Sequence, residues 1–178
     1  YLSLSAGRSI SQAQITLGSL YLMGKYVQRD ENKAIHYFTL AAHKNNPRAQ
    51  FILGMLHYIG DYFKQNANIT LSAKNGFVES HFVLGVIYSQ GVYVERNIEE
   101  AIHHYNNGSN LNDSFSKNNL GVIYKHHDYK KNPIEYFEEA IRLNNDFVSM
   151  YNLGHMYFYG EKVKTDLDKS IELLVQSS

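Results

Sequence analysis

A Leu-Gly pair recurs five times along the chain, at Leu17-Gly18, Leu53-Gly54, Leu84-Gly85, Leu120-Gly121 and Leu153-Gly154. Successive pairs stand 36, 31, 36 and 33 residues apart. Four residues before each leucine lies a small side chain: Ala13, Ala49, Ser80, Ser116 and Ser149. Three residues after each glycine lies a ring: Tyr21, His57, Tyr88, Tyr124 and Tyr157. Small residue, leucine and ring therefore occupy i, i+4 and i+8, one face of an α-helix. A glycine inside a helix costs about 1 kcal/mol relative to alanine. Five helices accepting that cost at one position predict a neighbour too close for a Cβ, and a second backbone is the expected neighbour.

A second helix is expected in most units. Its apolar face reads Ala34-Ile35, Tyr37-Phe38 and Ala41-Ala42 in the first unit, and Pro133-Ile134, Tyr136-Phe137 and Ala140-Ile141 in the fourth. Ala101-Ile102 with Tyr105, and Ser170-Ile171 with Leu173-Leu174, hold the same register in the third and fifth. Asn97 with Glu100 and Asn132 with Glu135 predict capping boxes, Pro133 suits the first helical position, and Asp30 and Asp166 are N-cap candidates. The turns come in two lengths. Gly24-x-x-Val27, Gly91-x-x-Val94 and Gly160-x-x-Val163 form longer ones, each glycine placed to end a helix in the left-handed region and each valine placed to tuck between helices. Units two and four turn more tightly, around Asp61-Tyr62 and Asp128-Tyr129.

These registers predict an all-α chain, an α/α superhelix (solenoid) of about five helix–turn–helix repeats forming one solenoid domain. The expected divisions are 1–10, the second helix of a preceding truncated repeat; 11–46, repeat one; 47–77, a short repeat two; 78–113, repeat three; 114–146, a short repeat four; and 147–178, a truncated repeat five. Tyr1–Ile10 aligns without a gap to Tyr37–Asn46, so the chain is expected to be cut from a longer array, with apolar surface exposed at each end.

In these residues the chain resembles the Sel-one-like repeat (SLR) family, a tetratricopeptide-like helical repeat with a longer turn between its helices. The first unit carries the likeness best, in Ala13, Leu17-Gly18, Tyr21, Gly24, Val27, Asp30, Lys33-Ala34, Tyr37-Phe38 and Ala41-Ala42. One departure stands out. The family's loop usually has a second glycine two residues after the first, where this chain has Tyr26, Tyr93 and Lys162. The resemblance implies a scaffold that binds a peptide or protein segment in a concave groove. Carrying over the tetratricopeptide register, with the leucine as position seven, makes Phe51, Met55, Tyr58, Phe82, Lys125, His126, Tyr151, His155, Phe158 and Tyr159 the groove-facing candidates. The same positions give Ile15 and Leu22 in unit one, and Asn118 and Val122 in unit four. The lysine and asparagine of a carboxylate clamp are missing from positions five and nine.

Alternative roles are a passive structural spacer within a larger multidomain protein and, more remotely, a penicillin-binding hydrolase. The disulfide-rich secreted branch associated with the last activity is marked by cysteines, and this chain has none. No enzyme activity, cofactor or metal is expected. The chain lacks a P-loop, a Gly-x-Ser-x-Gly elbow and a His-Glu-x-x-His pair, and His126-His127-Asp128 is the one local cluster with metal-ligand chemistry. Seventeen basic residues balance seventeen acidic ones, so the chain offers no excess positive charge for a phosphate backbone, and nucleic acid is not expected as a partner. No apolar run reaches the roughly 18 residues of a membrane span. The absence of cysteine favours the cytoplasm.

Overall fold

The computed structural model describes residues 2–56, 62–91, 94–127 and 129–178, and the side chains of 10–56, 67–91, 94–127 and 129–178. Among the described residues there are ten helices and no strand, so the fold is an all-α helical repeat of the solenoid class. The helices are α1 (Leu2–Met23), α2 (Glu31–Ala42), α3 (Pro47–Leu56), α4 (Tyr62–Lys74), α5 (Val78–Gln90), α6 (Ile98–Asn110), α7 (Ser114–His126), α8 (Pro133–Asn144), α9 (Phe147–Tyr159) and α10 (Leu167–Gln176). They fall into two compact units, 1–84 and 85–178.

In the first unit α1 packs on α2, α2 on α3 and α3 on α4. Its core is built from Ile15, Phe38, Ala34, Ala41, Ala49 and Leu53, with Tyr21 and Leu22 packed against them. In the second unit α6 packs on α7, and α7–α8, α8–α9 and α9–α10 follow in turn. There Phe137, Leu153, Met156 and Tyr157 are buried together, and Leu120 and Tyr105 are also buried.

The glycine register has a different cause from the expected backbone contact. A Cβ added at Gly18 would lie 2.7 Å from the Phe38 ring, and one at Gly121 would lie 2.7 Å from the Phe137 ring. At Gly85 the obstruction is the Tyr105 ring, and at Gly154 it is Leu174, 3.0 Å away. At these four positions the first helix thus leaves out a side chain so that a large residue of the second helix can lie against it. Close packing then makes even one methyl destabilising.

Unit boundaries have their own device. Asn45, Gly76, Asn112 and Asn145 all have positive φ, between 46° and 87°, and each stands eight residues before its leucine. The amide after the first three closes back by five residues, Asn46 to Ala41, Phe77 to Ser72 and Asp113 to Gly108. This is the Schellman way of ending a helix. Ser9 holds the same register before Leu17, and there the chain runs on as part of α1. Serine lacks the left-handed tolerance of asparagine and glycine, so the expected break between residues 1–10 and the first repeat does not form.

The three long turns share one skeleton. Gly24, Gly91 and Gly160 have φ near 70° and donate their amides to Leu20, Ile87 and Met156. The N-cap amides of Asp30, Asn97 and Asp166 then return to the carbonyls of Tyr21, Tyr88 and Tyr157 at 3.0, 2.9 and 3.1 Å. Val27, Val94 and Val163 are half-buried beneath, Val163 against the Leu153 cluster. The Asn97 side chain accepts from the Glu100 amide at 3.1 Å, but its own amide is taken by Tyr88, so the reciprocal half of the expected capping box has no donor to serve. Asn132 accepts from Ile134 and donates its side-chain amide to Glu135 at 3.2 Å. Asp61 and Asp128 of the short turns lie outside the described residues.

Apolar side chains are exposed at both ends of the described chain: Ile10 and Leu17 on α1, and Leu167, Ile171 and Val175 at four-residue spacing on α10.

Candidate partner-binding surface

Helix α9 divides into two faces. Met150, Leu153, Met156 and Tyr157 point into the second unit's core, while Val148, Tyr151, Phe158 and Tyr159 are 49–61% exposed. The exposed residues fall at offsets of 3, 10 and 11 from Val148, so they line one side of the helix. His155 completes the ridge, its ring 6.0 Å from that of Tyr151 and 4.4 Å from that of Tyr159. Phe158 stands edge-on to Tyr159 at 4.8 Å. Phe147, 61% exposed, extends the apolar surface at the start of the helix.

Helix α7 lies beside α9, and Asn118 stitches the two together. Its carbonyl oxygen accepts from the Ser149 hydroxyl at 3.1 Å and from the Asn152 side chain at 3.0 Å. Asn118 is buried, so position five of the fourth unit binds the neighbouring helix rather than facing a partner. Val122 packs against the Leu153 cluster. Ile15 and Leu22 likewise belong to the first unit's core. The borrowed register fails at these four positions because closely packed first helices bury the side chains that face a neighbouring helix.

Lys125 is also already engaged. Its ammonium meets the Glu161 carboxylate at 2.6 Å, and that contact holds the Glu161 carboxyl below its ordinary range. One residue on, Lys162 donates to the carbonyls of Tyr124 (2.6 Å) and His127 (3.1 Å) at the end of α7. A cation at a helix C-terminus meets unpaired carbonyls and the negative end of the helix dipole. Glu161 and Lys162 thus clamp the last long turn onto α7. The register singled out Lys125 but not these two partners, which a left-handed lysine in place of glycine would have suggested. His126 stays exposed.

In the first unit the candidates are more dispersed. Phe51 is half-buried, its ring 5.1 Å from that of Phe77, so it serves packing at least as much as any partner. Phe82 is half-buried and Met55 is 42% exposed. Tyr58 lies outside the described residues. No group of three metal-ligating side chains converges among the described residues. No helix there is long and apolar enough to cross a membrane.

The Sel1 repeat family model matches residues 11–46, 47–72, 78–113 and 148–178. The chain belongs to the Sel1 repeat family. Among solved structures it is similar to a protective antigen present in uropathogenic Escherichia coli strains, which displays an SLR fold, with 25% identity and a TM-score of 0.85 over 97% of this chain and 38% of that one. It is also similar to a Sel1 repeat protein from Oxalobacter formigenes, with 25% identity and a TM-score of 0.84 over 97% of this chain and 74% of that one. The chain thus spans well under half the length of the first of these relatives. No curated protein matches it in sequence.

Proposed function

We propose that this Sel1-repeat chain is a non-catalytic scaffold that holds a segment of a partner protein against the α9 ridge. Sel1 repeats mediate protein interactions, and that supports the general role. The observation that carries the specific reading is the exposure of Tyr151, Phe158 and Tyr159 along one face of a helix whose other face is fully packed. Large, stiff aromatic side chains anchored on a rigid element are the composition of interface hot spots. Contiguous apolar surface of this kind marks an interaction site in a folded protein. An extended or helical peptide with apolar anchors fits such a ridge.

The test is affinity capture with the wild type beside a Tyr151→Ala/Phe158→Ala/Tyr159→Ala variant, the fold of each checked by circular dichroism. Phe51 is left unaltered because its loss would disturb Phe77. A partner retained by the wild type and lost by the variant supports the reading. Equal retention removes α9 as the contact face, and no capture by either folded protein favours a structural spacer.

A further inference from the structure

The second unit also contains a cleft of about 320 Å³ where the turn before α6 meets α7, a volume at the lower end of ligand-sized sites. Its two sides differ in chemistry. Ile98, Val122 and Ile123 give it apolar lining, while Arg96, His126 and His127 bring nitrogen groups to the same cleft. Among the described residues no carboxylate lines the cleft, and Glu99 accepts a hydrogen bond from the Tyr129 hydroxyl at 2.8 Å.

Arg96 is held in place by one of its own donors. Its Nε–H donates to the Ser89 carbonyl at 3.0 Å, in the last turn of α5. With Nε committed, the two terminal nitrogens are left as a fork suited to a carboxylate. Arg96 makes no ion pair among the described residues. Asn119 also lines the cleft; its Nδ2 donates to the Phe115 carbonyl at 2.8 Å, which leaves its side-chain oxygen as an acceptor.

We propose that this cleft binds the C-terminal residue of a partner peptide, the carboxylate on Arg96 and an apolar last side chain over Ile98, Val122 and Ile123. The last residue of a peptide carries a carboxylate and a side chain on the same carbon, which suits a cleft lined by both Arg96 and the apolar Ile98, Val122 and Ile123. An aspartate or glutamate side chain brings the charge without the apolar group. The peptide N–H of the terminal residue finds its acceptor in Asn119. The proposal rests on the scaffold reading, but it uses residues of the turn and of α6 and α7, none of them on the α9 ridge. It also gives the His126-His127 pair a place, as hydrogen-bonding groups lining the same cleft.

The experiment is a titration of the uniformly ¹⁵N-labelled full chain with N-acetyl-Gly-Leu, followed by amide chemical shifts. The expected result is saturable shifts at Ser89, Arg96, Asn119 and Val122, with a Kd of about 1 mM for so small a probe. Arg96→Gln, a substitution at an exposed position, should weaken binding roughly tenfold. The C-terminal amide of the same dipeptide should give no saturable shift. Equal binding of the amide, unchanged binding by Arg96→Gln, or shifts confined to other residues would overturn the proposal. So would 4-methylpentanoate or inorganic phosphate binding as tightly as the peptide, since neither offers both the amide and the apolar carboxylate. If the cleft fails while the α9 variant still loses its captured partner, the scaffold reading stands and the cleft alone is removed.

Discussion

The first repeat, 11–46, and the last, 147–178, have the same turn and use it differently. Both turns begin at a glycine with φ near 70°, place a non-glycine residue with positive φ two positions later, and end at an aspartate N-cap whose amide returns to a tyrosine carbonyl. In the first, the left-handed residue is Tyr26, 87% exposed. In the last it is Lys162, which caps two carbonyls of α7. The leucines of the two repeats differ as well, Leu17 being 41% exposed and Leu153 1%. Backbone hydrogen bonding dictates the turn, and the side chains it carries remain free to be recruited by whatever lies beside them.

The sharpest break in this comparison comes from the leucines. Leu153→Ala should cost about 2–5 kcal/mol and Leu17→Ala less than about 1 kcal/mol, measured by denaturant unfolding. Equal losses would mean that Leu17 is covered as Leu153 is. Next come the glycines that start the two turns, Gly24→Ala and Gly160→Ala. Each should cost about 1–2 kcal/mol, because both residues are left-handed. A large difference between them would show that the skeleton is not common to the two turns.

The residues two positions later should separate in sign. Tyr26→Gly relieves an unfavourable φ with little contact to lose, and should stabilise by up to about 1 kcal/mol. Lys162→Gly relieves the same strain but removes the cap on α7, and should be neutral or destabilising. The smallest effect is electrostatic. The Glu161 carboxyl is lowered, chiefly by its hydrogen bond from Lys125. Its stabilisation is therefore present above the ordinary carboxylate pKa and lost as pH falls through the lowered folded value. Glu161→Gln should flatten the acid limb of the stability curve, a change read by comparing unfolding midpoints of the two proteins between pH 5 and pH 2.

Much of the local structure is legible in the residues themselves. The Leu-Gly register locates every first helix, the N-caps at Asp30, Asn97 and Asp166 locate second helices, and the glycines of the long turns locate the left-handed ends. Asn45, Gly76, Asn112 and Asn145 carry a boundary signal that the Leu-Gly register does not use, since asparagine and glycine are the residues that tolerate positive φ. The candidate site was less legible. Position five of a borrowed register points to Ile15, Asn118 and Tyr151 alike, yet the first is core, the second joins two helices and the third is exposed. Distances between side chains of different helices depend on how those helices cross, and spacing within one helix does not carry that information.

Local sequence sets the helices, turns and caps of each unit, because these depend on hydrogen bonds and periodicities that span fewer than ten residues. Packing between helices sets what closes over Gly18, Gly85, Gly121 and Gly154, which of the equivalent leucines is buried, and that Lys125 meets Glu161 while Lys162 reaches α7. It also decides that Arg96, Asn119 and His126 line one cleft. The physical reason is range. A turn or a cap is complete within its own segment, whereas burial and ion pairing are settled by residues 16 to 38 positions away whose approach is fixed only when the helices pack.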